Sequence, residues 1–347
     1  MRPRLGHDPP PPRLLRHPPP PHPAAEQDRS VIVHGFAGIG WSEGLRELGL
    51  ADIGLELDEA ACLTRAGAGH ATIRCDVTEY PTWVFKGHAT GKIDSPPCPT
   101  FSKSGNGAGA HDLPYVQQAI EDLSRGKDTR CVLRAACCDA RSILTAEPMR
   151  WHYDLMPEWI ALEQVPSVLP LWQQYAAVLG RWGYSTATGL LDAADYGLGQ
   201  QRKRAVLVAS RTAEVSLPAP THGGLGQLPR VAMAEVIGWG YTMRPAPSVT
   251  GGGTYTGGAE PFGNGTRQAM KRHIGSPLWR DRSLPHLRPS IAECAALQGF
   301  RPGLQFHGRA GQQYLQVGNA VPLPLATAVI AAATGLTLPA AELTPAA

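Results

Sequence analysis

None of the seven cysteines in this 347-residue chain forms a CxxC pair. Cys62, Cys75, Cys98, Cys131, Cys137, Cys138 and Cys294 are odd in number and irregular in spacing. That argues against a disulfide scaffold and against a structural zinc site. A reducing compartment, hence the cytoplasm, is the expectation, with no metal. No apolar run approaches the roughly 20 residues that a membrane span needs, and the first residues lack the apolar stretch of a secretion signal. Charge of one sign is also scarce. The formal net charge is +3, so any surface for nucleic acid must come from local clustering. Apolar content of 43% with 18% charged residues fits a soluble globular protein with a sizeable core. The length fits one large domain or two smaller ones.

Residues 1–29 alternate proline runs with arginine and histidine and are expected to be a disordered tail of polyproline character. Ser30 opens a strand–helix alternation. SVIVHGF, ADIGLEL and HATIRCDV read as buried strands, separated by helical patterns. This order predicts an α/β domain around a parallel sheet over residues 30–212. YSTATGLLDAADYG and KRAVLVAS read as its last strands, an antiparallel pair. Residues 213–288 turn rich in Gly, Pro and Thr and are expected to form a small irregular second domain. Residues 289–337 return to helix character and rejoin the first domain. Residues 338–347 are expected to be a frayed tail.

Four constellations carry chemistry. HGFAGIGW, His34 to Trp41, is a glycine turn between the first strand and helix, where the backbone can approach a ligand closely. It is not a full GxGxxG fingerprint. Glu56 ends the second strand, where a carboxylate can accept both hydroxyls of a ribose. Asp76, read as ending the third, can accept from an adenine amino group. Together the three strand ends describe an adenosine-containing ligand. SPPCPTFS, Ser95 to Ser102, holds Cys98 on a rigid step before a glycine-rich segment, as suits a nucleophile at the base of a lid. Glu163, in LEQV, ends an apolar strand at the same sheet edge, partly desolvated and placed to donate a proton. Arg202 and Arg204 are two apart, so on a strand they face one side and aim two guanidiniums into one cleft.

In this order the residues resemble the cytosine-5 DNA methyltransferase family. FAGIG is similar to its cofactor glycine motif, SPPCPTFS to its Pro-Cys motif, LEQV to its Glu-Asn-Val motif and QQRKR to its Gln-x-Arg-x-Arg motif. AECAALQGF and GNAVP are similar to its late motifs. The resemblance implies a class I, Rossmann-like doubly wound fold with a target-recognition region. It implies S-adenosylmethionine as methyl donor, with Phe36, Gly38, Ile39, Gly40 and Pro97 lining its pocket. Glu56 would hold the ribose, Leu57 and Val77 would flank the adenine and Asp76 would bind its amino group. Asn319 and Val321 would approach from the C-terminal side. It further implies double-stranded DNA as partner, a monomer, and room for a cognate restriction endonuclease.

On that resemblance, Cys98 attacks carbon 6 of a flipped-out cytosine while Glu163 protonates ring nitrogen 3. Arg202 and Arg204 hold the base carbonyl and orient Glu163. The segment from Phe101 to Asp112, with Lys103 and Ser104, closes over the base. Arg244, Arg267, Lys271 and Arg272 are candidate DNA contacts. Four departures stand out. Trp41 replaces a glycine and would narrow the methionine end of the pocket. Pro99 follows the cysteine in place of glutamine, Gln164 replaces asparagine, and Gly199 replaces a proline. GKIDS, before Cys98, is more polar than a buried strand should be. An RNA-directed enzyme of the same family, or a degenerate DNA- or cofactor-binding homologue with a structural Cys98, are the competing readings. The tRNA-directed branch would carry its own signature after the Pro-Cys pair, and none is present.

Overall fold

The computed structural model describes residues 30–97, 101, 108–251, 261–281 and 287–338. Residues 1–29, 98–100, 102–107, 252–260, 282–286 and 339–347 lie outside the described residues, among them the expected tail 1–29, all but the first residue of the expected tail 338–347, and Cys98, Pro99, Lys103 and Ser104.

The first half alternates as expected. Strand β1 (Val31–Gly35) leads to helix α1 (Gly40–Glu47), β2 (Asp52–Glu56), α2 (Glu59–Gly67) and β3 (Ala71–Arg74). Then come β4 (Ala89–Asp94), α3 (Ala108–Leu123), α4 (Arg130–Ala136), α5 (Glu147–Leu155), β5 (Trp159–Gln164), α6 (Leu169–Arg181), β6 (Ser185–Asp192) and β7 (Lys203–Ser210). The remainder comprises α7 (Met233–Ile237), the hairpin pair β8 (Gly240–Tyr241) and β9 (Trp279–Arg280) on either side of α8 (Asn264–Lys271), then α9 (Ile291–Leu297), α10 (Ala310–Asn319) and α11 (Leu323–Thr334). No single helix among the described residues is long and apolar enough to cross a membrane.

Seven strands form one sheet in the order β3-β2-β1-β4-β5-β7-β6. Pairs from β3 through β5 are parallel, and β7 runs antiparallel to both β5 and β6. The expected antiparallel pair is therefore present, and the fold is the mostly parallel, doubly wound sheet that was expected. The chain leaves β1 toward β2 on one side and returns to β4 on the other. This reversal opens a crevice at the carboxyl ends of β1 and β4, where ligands of such sheets bind. Because β7 is reversed, its first residues lie at that same edge, with Val206 opposite Glu163.

Apolar strands explain the two faces. Ile160, Leu162, Ala205 and Leu207 pack with Trp172 and Tyr175 of α6 on one side. Ile93, Ala161, Val206 and Val208 pack with α11 on the other. Helix α11 lies against α1 so closely that a Cβ on Gly44 would stand 2.8 Å from Ala326 Cβ. A third cluster joins Met233, Trp239, Phe262, Met270 and Trp279 to Cys294, Tyr314 and Val317. Helix α9 starts with a capping box between Ser290 and Glu293, and Glu293 also accepts from Trp239 Nε1 at 2.7 Å.

Two sequence expectations shift. Helix α3 begins at Ala108, inside the glycine-rich segment expected to serve as a lid from Phe101 to Asp112. The reason is packing: Phe101 lies over Gly109, so close that a Cβ there would meet the ring at 2.6 Å. The third strand ends at Arg74, so Asp76 lies two residues beyond it.

Candidate active site

The glycine turn is built on a strained step. Phe36 has φ of 54°, a left-handed conformation that costs a non-glycine residue energy and is held by its surroundings. It turns the chain out of β1, and the amides that follow are held internally: Ala37 N–H donates to the Leu55 carbonyl at 3.0 Å and Gly38 N–H to the Phe36 carbonyl at 2.9 Å. Gly38 borders open space, since a Cβ there would meet nothing within 4 Å. Gly40 is the opposite, because a Cβ would stand 2.1 Å from the Val321 carbonyl oxygen. The first turn of α1 and the start of the C-terminal segment thus meet, as the motif order implies. Val321 is buried and Asn319 beside it is exposed. Ile39 is buried in the third cluster, so its backbone rather than its side chain is what the turn offers a ligand.

A buried charge network fixes this turn from below. Arg65 is fully buried and donates to the Gly38 carbonyl at 2.7 Å. Its other nitrogen lies 3.2 Å from Asp52. Asp52 Oδ2 also accepts from Ser42 at 2.7 Å and from His34 Nδ1 at 2.8 Å. Burial lowers the His34 pKa to about 4 despite Asp52, so the ring is neutral and holds its proton on Nδ1. Nothing in the local pattern of the sequence marks Arg65 for this role. It comes from α2 and reaches across β2 because Gly54 leaves room for it: a Cβ there would stand 2.2 Å from the guanidinium.

At the end of β2, Glu56 Oε1 accepts from the backbone N–H of Leu57 and of Asp58, each at 2.8 Å. Burial raises its pKa above the ordinary carboxylate value. Leu57 is exposed and Val77 is buried. Asp76 is exposed, and its Oδ1 accepts from both the N–H and the hydroxyl of Thr78, at 2.9 and 2.7 Å. Glu56 and Leu57 thus sit at the carboxyl end of β2, and Asp76 and Val77 in the loop that follows its neighbour β3.

Glu163 is the hub of the other half. It is 4% exposed. Its Oε1 pairs with Arg204 Nε at 2.7 Å, and its Oε2 accepts from Ser95 Oγ at 3.1 Å. Ser95 in turn accepts from Trp41 Nε1 at 2.8 Å. Trp41 therefore does not narrow the crevice by projecting into it; its ring is 2% exposed and packs with Leu45, Ile93, Val321 and Leu325. Gln164, the amide that stands in place of an asparagine, makes two structural bonds. Its amide donates to the Pro96 carbonyl at 2.6 Å, and its oxygen accepts from Val165 N–H at 2.5 Å. Pro96 is buried and Pro97 exposed. Thus Ser95 and Pro96 are anchored to β5, while Cys98 itself lies outside the described residues.

The two arginines do not share a task. Arg202 precedes β7 rather than lying in it, and it is 3% exposed. Its guanidinium donates to the carbonyls of Val249 at 2.8 Å, Gly318 at 2.7 Å and Ala320 at 3.2 Å. It ties the 213–288 region to the segment before Val321. Arg202 thus spends its guanidinium on the carbonyls of this seam, while Arg204 makes the ion pair with Glu163. Gln200 reinforces the same seam, accepting from Val249 N–H at 2.7 Å and donating to the Leu297 carbonyl at 2.8 Å.

The polar strand before Cys98 also finds its reason. Lys92 and Asp94 are fully buried on one face of β4 and pair at 2.5 Å. Burial raises the Asp94 pKa to about 6 while Lys92 opposes it. His152 of α5 lies 3.8 Å from Asp94. Gly35 makes room for the pair, since a Cβ there would stand 2.2 Å from Asp94 Oδ1. Among the described residues, no group of three or more His, Cys, Asp or Glu side chains could hold a metal. The described cysteines are free thiols. In the unusual cysteine segment, Asp112 accepts from the N–H groups of Cys138 and Asp139, at 2.6 and 3.1 Å.

Residues 132–224 and 280–334 match the sequence pattern of the family described as C-5 cytosine-specific DNA methylase. These spans include Glu163, Arg202, Arg204, Asn319 and Val321. The chain is 28% identical over 230 residues to the Type II methyltransferase M.BspRI of Lysinibacillus sphaericus, covering 55% of this chain and 54% of that one. It is 28% identical over 232 residues to the Type II methyltransferase M.BsuRI of Bacillus subtilis, covering 55% and 52%. The chain thus spans about half the length of the curated relatives it matches. Among solved structures, the Dnmt2 methyltransferase of S. pombe superposes with a TM-score of 0.58 at 15% identity, covering 88% of this chain and 98% of that one. This last likeness concerns the fold.

Proposed function

We propose that this chain, whose sequence matches the C-5 cytosine-specific DNA methylase family, methylates carbon 5 of cytosine in DNA. The observation that carries the reading is the buried Glu163–Arg204 pair, set across the sheet edge from a glycine turn that borders open space at Gly38. A proton donor and a cofactor cradle then face one crevice. The cradle fits S-adenosylmethionine: Gly38 leaves its backbone approachable, and Glu56 has Oε1 fixed by two N–H groups, so ribose hydroxyls fall to Oε2. Phe36, Ile39, Gly40, Leu57, Asp76, Val77, Pro97, Asn319 and Val321 complete the set that would hold it. When bound, it supplies the methyl group.

The residues divide the rest of the work. Cys98 bonds to carbon 6 of the flipped-out base, and Glu163 gives its proton to ring nitrogen 3, so that carbon 5 becomes nucleophilic. Arg204 holds Glu163 in place and lies nearest the base carbonyl. Arg202 acts one step back, by fixing the seam beneath the pocket. After methylation, carbon 5 loses its proton to a base, the Cys98–carbon 6 bond breaks to free the thiolate, and ring nitrogen 3 returns its proton to Glu163. Flipping the base costs a few kcal/mol, and residues 213–288 are the region that would recognise the duplex. By likeness to the Type II methyltransferases, a cognate restriction endonuclease is the protein partner to look for.

The test is transfer of labelled methyl groups from S-adenosylmethionine to duplex DNA and, in parallel, to tRNA. Label on cytosine of the DNA, lost in Cys98→Ser, is expected. Label on tRNA alone would favour the RNA-directed reading, and label on neither would favour a degenerate homologue.

A further inference from the structure

We propose that Trp41 and Ser95 are positioning residues for Glu163, linked to it by a fixed hydrogen-bond relay; this rests on the methyltransferase reading above. The relay runs from the first turn of α1, through the end of β4, to the end of β5. Trp41 Nε1 donates to Ser95 Oγ at 2.8 Å. Ser95 Oγ donates to Glu163 Oε2 at 3.1 Å. Arg204 Nε closes the far side of the carboxyl at 2.7 Å.

Direction along this chain is set by chemistry. An indole N–H can only donate, whereas a hydroxyl both donates and accepts. Trp41 therefore takes a lone pair of Ser95 and turns the hydroxyl proton toward Glu163. The indole cannot swing away, because its ring is 2% exposed among Leu45, Ile93 and Val321. The Ser95 backbone is restrained by the proline that follows it. Each Glu163 oxygen thus has its own assigned donor, on opposite sides, and the plane of the carboxyl is fixed. An oxygen of a carboxyl group has more than one lone pair, so Oε2 can carry the proton for ring nitrogen 3 without releasing Ser95. No proton travels along the relay. Glu163 gives up its own proton, while Trp41 and Ser95 keep theirs and hold the donor in register with the base. The tryptophan that departs from the family's glycine is thereby given a task.

The experiment compares the full chain with Trp41→Phe, Ser95→Ala, Ser95→Thr and the Trp41→Phe/Ser95→Ala double variant. Trp41→Phe keeps an aromatic ring in the core and removes only the donor and one ring. Expected are about tenfold lower kcat in each single variant, an unchanged Kd for S-adenosylmethionine, recovery in Ser95→Thr, and a double variant no slower than Ser95→Ala. Members of one relay lose a shared contribution only once. A second readout needs no turnover. The Trp41 indole N–H resonance, identified by its absence in Trp41→Phe, should move in both Ser95→Ala and Glu163→Gln. Full kcat in Trp41→Phe, multiplicative losses in the double variant, or an unmoved resonance in Glu163→Gln would each overturn the relay. No transfer by the unaltered protein would instead overturn the methyltransferase reading, and the relay would then stand or fall by the resonance alone.

Discussion

Arg204 Nε lies 2.7 Å from Glu163 Oε1, and the two residues reach each other because β7 runs antiparallel to β5. In a parallel neighbour the first residues of the strand would sit at the far end of the sheet. The reversal brings a cation to the carboxyl edge of β5, where Glu163 is almost wholly desolvated. A buried carboxylate without that partner is costly. Arg204→Ala should lose on the order of 3–5 kcal/mol of stability, as when one member of a buried pair is removed. Arg204→Lys should keep most of the stability and lose methyl transfer, since a point charge does not reproduce the guanidinium's planar set of donors. Urea unfolding beside transfer rates checks both.

Arg202→Ala should act on folding first. Three carbonyls, of Val249, Gly318 and Ala320, lose their donor together. Each buried group left unpaired costs about 1–3 kcal/mol. The expected result is a large fall in the unfolding midpoint, with Arg202→Lys rescuing only part of it. Wild-type stability in Arg202→Ala would show that the seam is held by other contacts.

The two glycines of the cofactor turn should separate folding from binding. Gly40→Ala places a Cβ 2.1 Å from the Val321 carbonyl, an overlap that backbone must relieve, so the protein should be destabilised by about 1–3 kcal/mol. Gly38→Ala meets nothing within 4 Å. It should leave the unfolding midpoint unchanged and weaken S-adenosylmethionine in a calorimetric titration, because the methyl group occupies space the ligand would use.

Stability should depend on pH through His34. Its pKa falls from 6.5 to about 4 on folding, chiefly through burial. Between those values the unfolded chain binds the extra proton, so stability declines as pH drops from 6.5 toward 4 and is level above 6.5 for this group. The full shift is worth about 3 kcal/mol. Unfolding free energies measured across pH 4–7 should show a shallower decline in His34→Asn than in the native protein. Identical slopes would place the dependence elsewhere.

Much of this site was legible because it lies where strands end. The change from β-branched runs to glycine or acid marks Phe36 to Gly40, Glu56 and Glu163 directly, and sheet topology then gathers those ends in one place. Arg204 was legible as a basic residue at the start of an apolar strand, two positions from Arg202. The partners of Arg202 were not legible, because the Val249, Gly318 and Ala320 carbonyls it binds lie 47 to 118 positions away in sequence. Trp41, Ser95 and Arg65 were missed for the same reason. Their bonds join elements far apart in sequence, with Ser95 54 positions after Trp41 and Glu163 68 positions after Ser95, and no local period encodes such a pairing. Lys92 and Asp94 looked anomalous in a buried strand until Gly35 was seen to make room for them.

The most direct measurement of the central claim is bisulfite sequencing of DNA from a host lacking its own cytosine methylases, after expression of this protein. Cys98→Ser and Glu163→Gln are expressed beside it at matched levels. Protected cytosines in one sequence context, present with the native chain and absent with both variants, are the predicted result. No protected cytosines from folded native protein, or protection that survives Cys98→Ser, would contradict it.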